Sequence, residues 1–243
     1  MTLTPSLLPP IIEAIADVIE KNAEEITALD QAIGDGDHVI NLQRGIQALM
    51  AQRDELSQLD WVAAWQKIGM TLMTAVGGAS GSLYGTLFMA LSKAAHEQSL
   101  NLQSFADIFT QGVEAVKQRG KAVAGEKTML DVYIPVAEYL QTAAANSVAL
   151  PDVLTNVSRV AIAGMESTRD MLATKGRASF LQERSLSHID AGAKTGQLMI
   201  CAINEVLIQQ ITSHNIPGSS DFGVEDKIIK NQYNTPNFTL INS

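Results

Sequence analysis

Apolar residues return every three or four positions along most of the chain, the period of a helix with one buried face. In the opening segment Ile11, Ile12, Ile15, Val18, Ile19 and Ile26 fall on one side of a helix predicted over 7–29. Thr4 before Pro5 reads as its N-cap with proline in the first turn, and Pro9 and Pro10 belong to that opening turn. The same period predicts helices over 41–52, 60–75, 82–96, 104–118, 129–145, 153–171 and 188–213. Asp60 fits an N-cap, and Ser104 with Asp107 three residues on fits a variant capping box. No stretch alternates with the period of two that a half-buried strand requires. The expected fold is all-α, an up-and-down antiparallel bundle of eight helices.

Glycines cluster at the predicted junctions: Gly34–Gly36, Gly77–Gly85, Gly120–Gly125, Gly176 and Gly192–Gly196. Alternate junctions of such a bundle lie at the same end, so several of these corners are expected to share one rim. The last stretch, 221–243, loses the helical period and holds Asn, Gly and Pro. It reads as a loosely attached tail.

Composition narrows the chemistry. Apolar residues make up 46% of the 243 and aromatic ones only 5%, which suits an aliphatic helical core. A net charge of −9 argues against nucleic acid, which needs a basic footprint. An acidic protein that handles an anion must neutralise it locally, and metal ions are the usual device. Cys201 stands alone in an apolar run and reads as a buried, inert thiol. The N-terminus lacks the pattern of a secretory signal, and no apolar run approaches the roughly 20 residues of a membrane span. A cytoplasmic protein without membrane contact is expected.

The most informative stretch runs Asp30-Gln31-Ala32-Ile33-Gly34-Asp35-Gly36-Asp37-His38. Three carboxylates this close repel unless a cation sits among them, and magnesium favours such hard oxygen ligands, often sharing its shell with nucleotide phosphates. Calcium in an EF-hand loop would need Glu at the twelfth position; counted from Asp35 that residue is Ile46, and from Asp30 it is Asn41. The plainer alternative is a solvated acidic turn with Asp37 capping the next helix. His38 and Asn41 then stand at a helix start, either touching an anion or serving as ordinary first-turn residues.

The later corners are individually less specific. Gly77-Gly78-Ala79-Ser80-Gly81-Ser82 is no P-loop; it either cradles phosphate or makes a tight helix corner. Lys127 is a candidate phosphate contact, Thr128 a helix cap, and Asp131 a local cap or a partner of Lys127. Arg177 is the best fork-shaped phosphate ligand, while Arg184 reads as an ion pair with Glu183. His188 is either a base or orienter, or a residue satisfying local backbone. Asp190 with Gly192 could shape a turn against a nucleotide. His96 and His214 read as surface residues. Met70, Met73, Met89, Met165 and Met199 read as core, and Trp61 and Trp65 as an i, i+4 packing pair.

Taken in order, these motifs closely resemble the dihydroxyacetone kinase L family, from the first helix to about residue 213, with 214–243 as an extension. The resemblance implies an eight-helix barrel with the nucleotide at one rim. It implies two magnesium ions held by Asp30, Asp35 and Asp37. It assigns ADP or ATP contacts to His38, Val39, Ile40, Asn41, Ala79, Ser80, Gly120, Met129, Arg177, Asp190, Ala191 and Gly192. Val39 stands where the family usually has Gly and Ala191 where it usually has Pro, which implies altered packing with binding kept. In phosphotransferase-coupled members ADP stays bound as a coenzyme. A phosphohistidine protein rephosphorylates it, and the phosphate passes to dihydroxyacetone held on a K subunit. The chain is expected to be that nucleotide subunit, lacking a separate substrate domain and forming a homodimer. The alternatives are an ATP-dependent kinase subunit for dihydroxyacetone or another short ketose or tetrose, and a regulatory nucleotide- or lipid-binding module.

Overall fold

The computed structural model describes residues 4–214, which form helices joined by short connections, with no strand among the described residues. A 3-10 turn over Pro5–Leu7 leads into α1 (Leu8–Lys21), α2 (Ala23–Ile33), α3 (His38–Met50) and the single turn α4 (Arg53–Leu56). Then come α5 (Trp61–Ala75), α6 (Gly78–Ala94), α7 (Leu102–Gly120), α8 (Leu130–Ala145), α9 (Leu150–Ser167) and α10 (Ala191–His214). Two more 3-10 stretches, Thr168–Asp170 and Arg177–Ser185, separate α9 from α10. Residues 215–243 of the expected tail, and the side chain of His214, lie outside the described residues.

The all-α class holds, but the described residues contain ten α-helices rather than eight. The helix predicted over 7–29 breaks at Asn22. There the side-chain amide donates to the Val18 carbonyl at 2.7 Å and the backbone turns to φ −108°, ψ 11°. An asparagine bonded to its own preceding turn competes with the helical ladder. Both halves still pack against α3 and α10, so they fill one place in the bundle. From α3 the long helices pack in sequence through α5, α6, α7, α8, α9 and α10, and α10 returns to α1. A ring of eight places therefore closes around a core that includes Ile19, Ile26, Ile108, Val132 and Val153.

Small residues set how closely the ring is drawn. α5 and α6 cross where Gly69 faces Gly85; a Cβ on either would lie 3.1 Å from the other's carbonyl oxygen. In α8, Pro135 has no N–H to give the Asp131 carbonyl. Gly164 of α9 presses against that same carbonyl, and a Cβ there would stand 2.3 Å from it.

Several local expectations change. Met70 and Met73 lie on the exposed side of α5, whereas Met165 is buried. Trp61 and Trp65 do pack, with ring centroids 5.2 Å apart. Cys201 is half-buried, and burial pushes its thiol up. Among the described residues no helix is long and apolar enough to cross a membrane. Asp60 caps α5 through the Ala63 N–H at 2.8 Å, as its position predicts. The cap of α7 is Asn101, in a reciprocal box with Ser104; Ser104 is the third helical residue rather than the cap. Ser104→Ala is thus expected to cost about 1 kcal/mol of stability. Asp107→Ala, which removes only exposed glutamine contacts, should cost clearly less, and urea unfolding of the two variants side by side checks the order.

Candidate functional site

The Asp30–Asp37 corner joins α2 to α3. Asp30 sits in the last turn of α2, Gly36 takes φ +76°, and the chain re-enters a helix at His38. Gly34 leaves room for the first carboxylate, since a Cβ there would lie 2.2 Å from Asp30 Oδ1. The His38 N–H donates to Asp30 Oδ2 at 3.0 Å. The Asp37 carboxylate makes no cap to α3, so the reading of Asp37 as a cap does not hold. One oxygen each from Asp30, Asp35 and Asp37 falls within 4.8 Å of the others. A set of hard carboxylate oxygens that converges in this way, and is not consumed by capping, fits a magnesium-type cation.

The corner forms one wall of a cavity of about 560 Å³. Opposite it stands the first turn of α6, with Gly78, Ala79 and Ser80 lining the space. α6 starts there, four residues earlier than predicted, so this glycine cluster is a helix N-terminus and not a corner between helices. Neither α3 nor α6 is capped by the side chain of its N-cap residue; Asp30 takes the His38 N–H, and the other first-turn N–H groups are open to an anion. Gly120, Met129, Arg177, Asp190, Ala191 and Gly192 complete the predicted residues along the cavity. Arg177 enters from the 3-10 stretch and pairs with Asp35 at 2.8 Å. Val39, Ile40 and Asn41 are not among the lining residues. Val39 is core, Ile40 is exposed, and Asn41 is buried with its amide oxygen accepting from Arg44 at 3.2 Å.

The loop between α7 and α8 corrects another expectation. Lys127 borders the cavity but is only 2% exposed. Its ammonium donates to the carbonyls of Thr168 and His188, tying the α7–α8 loop to both ends of the α9–α10 connection. Burial depresses its basicity, with Asp190 and Asp170 pulling the other way. Asp131 caps locally, accepting from the N–H groups of Gly125 and Thr128. His188 serves through its carbonyl and does not line the cavity, and no Glu183–Arg184 ion pair forms among the described residues.

A DAK2 domain family model matches residues 32–205. The ADP-binding subunit DhaL of PEP-dependent dihydroxyacetone kinase 1 from Listeria innocua is 40% identical over 185 residues, covering 76% of this chain and 88% of that one. The Escherichia coli counterpart is 37% identical over 201 residues, covering 82% and 96%. The chain belongs to the DAK2 family of dihydroxyacetone kinase L subunits. Its fold also matches the crystal structure of the dihydroxyacetone kinase from C. freundii in complex with AMP-PNP and Mg2+, at a TM-score of 0.61 and 22% identity. That match covers 84% of this chain but only 34% of the other, so the chain spans about a third of that enzyme.

Within this DAK2 chain the cavity takes Leu83 and Tyr84 of the Gly77–Gly85 motif, and also residues that no motif included: Val116, Arg119, Ala122 and Lys175. Arg119 and Lys175 adjoin the predicted Gly120 and Gly176, and that adjacency was the available signal. Thr195 had none, although its Oγ1 lies 3.0 Å from His38 Nε2 across 157 positions of sequence. Burial lowers the basicity of His38, against the opposing pull of Asp30 and Asp37.

Asp190 caps α10, accepting the Ala193 N–H at 2.7 Å. Burial pushes its carboxyl up to about 6 from 3.8, against the Ala193 bond and the charge of Lys127. The folded chain therefore holds this proton more tightly than the unfolded one. Stability from the group is complete below pH 3.8 and is lost as pH rises through about 6. Asp190→Asn keeps a capping oxygen without the charge. In ligand-free protein its stability relative to wild type should rise by roughly 2–3 kcal/mol between pH 4 and 7. Urea titrations across that range check this, and a pH-independent difference would contradict the raised carboxyl.

Proposed function

We propose that this chain is the nucleotide-binding subunit of a phosphotransferase-coupled dihydroxyacetone kinase, holding ADP as a resident coenzyme. The reading is carried by one observation: three converging carboxylates and Arg177 face the uncapped N-termini of α3 and α6 across a nucleotide-sized cavity. It draws further support from the relatives' names, an ADP-binding subunit of a PEP-dependent kinase in both Listeria innocua and Escherichia coli.

In this reading Asp30, Asp35 and Asp37 hold two magnesium ions, which supply charge neutralisation on the phosphates. The N–H groups of the first turns of α3 and α6 donate to the phosphate oxygens. Arg177, on an exposed stretch, offers its guanidinium fork to the terminal phosphate. Leu83, Val116, Met129 and Leu130 give an apolar slot for the purine. None of these residues needs to act as nucleophile or base, because phosphoryl transfer is served mainly by positioning and charge. The acceptor would be dihydroxyacetone carried by a K subunit, and the donor a phosphohistidine protein. A homodimeric assembly and a cytoplasmic location belong to the same reading.

Nucleotide released on denaturing the purified protein should be ADP at one per chain, surviving gel filtration. Asp35→Ala and Asp37→Ala should each lose it, with magnesium-dependent affinity falling beyond the roughly 10–100-fold cost of a lost second-sphere partner. Retention in both variants would refute the assignment. An empty wild-type protein that turns over added ATP with the K partner would make ATP the donor instead.

A further inference from the structure

Thr195 lies on α10 with 0% of its surface exposed, and its hydroxyl has one hydrogen to give. Its Oγ1 stands 3.0 Å from the carbonyl oxygen of Gly192, three residues back in the same helix, and 3.0 Å from His38 Nε2. A carbonyl can only accept, and a helical threonine commonly donates back to the carbonyl three or four residues earlier. With its hydrogen on Gly192, the oxygen is left as an acceptor, and His38 Nε2 carries the hydrogen between them. Tyr84 reaches the same hydroxyl from the barrel interior, and the Tyr133 hydroxyl donates to Tyr84 at 3.5 Å. On the other edge of the imidazole, Nδ1 faces Ser80 Oγ at 3.2 Å.

We infer that Thr195 is a positioning residue for the nucleotide site: its buried oxygen holds the His38 ring with Nε2–H inward and Nδ1 toward Ser80. The consequence is mechanical. His38 opens α3, and Ser80 lies in the first turn of α6, so the locked ring braces together the two helix N-termini that face the cavity. The bond to Gly192 alone would satisfy the threonine; its second contact is the one that reaches the cavity wall. The inference rests on the reading that these two turns hold nucleotide phosphates.

The test is histidine 15N NMR on the ligand-free full chain, paired with calorimetric titration of ADP in magnesium, for wild type, Thr195→Val and Thr195→Ser. Wild type should show His38 with its hydrogen on Nε2. Thr195→Val, which deprives that buried N–H of its acceptor, should move the His38 signals and weaken ADP binding about tenfold. Thr195→Ser should restore both. A wild-type His38 carrying its neutral hydrogen on Nδ1 would overturn the inference, as would a valine variant with unchanged signals and affinity. Should the valine variant fail to fold, the wild-type tautomer and the serine variant decide. A wild type with the expected tautomer that binds no ADP counts against the nucleotide reading and leaves Thr195's grip on the ring standing.

Discussion

Three carboxylates within 4.8 Å of one another repel, and much of the rim is arranged around that repulsion. Each charge is met differently. Asp30, half-buried, takes the N–H of His38. Asp35 takes the guanidinium of Arg177, brought in by the stretch before α10. Asp37 leaves the helix end uncapped and stays exposed. A group of like charges held without full neutralisation is poised for a multivalent cation, and the glycines between them allow the backbone to fold that tightly.

Closure of the helix ring gives the carboxylates something to face. Because α10 returns to α1, the turn before α10 meets the corner between α2 and α3, and the first turn of α6 completes the enclosure. The far side is fastened by Lys127. This residue adopts φ +61°, a backbone state that side-chain-bearing residues seldom take, and places a buried ammonium against two carbonyls at the two ends of the α9–α10 connection. The cation therefore works as a tether for the wall rather than as a phosphate ligand, and Arg177 is left to face the cavity. Asp190, within reach of Lys127, is held between the lysine's charge and its own burial.

The positions at which motif reading and geometry part company have a common cause. Val39, Ile40 and Asn41 sit in the first turn of α3 beside residues that line the cavity, but helical rotation turns their side chains to the core, to solvent and toward Arg44. Any part they take in binding would be through the backbone. The same rotation carries Met70 and Met73 outward, while the loop before α8 turns Lys127 inward. A motif lists neighbours along the chain, whereas a site is assembled from whichever side chains the local backbone aims at one space.

The sequence by itself determined the helical class, the aliphatic core and the acidic corner, because these depend on short-range regularities. A 3.6-residue period, a glycine between carboxylates and an aspartate before a helix act within a few residues of themselves. It also placed Asp60 as a cap and Arg177 as a cation to watch. Tertiary structure alone decided that the two halves of helix 7–29 would share one place in the ring, that Arg177 would meet Asp35, and that Thr195 would stand behind His38. Those pairings depend on which helices become neighbours when the ring closes, and that is settled by packing over the whole barrel rather than by any local pattern.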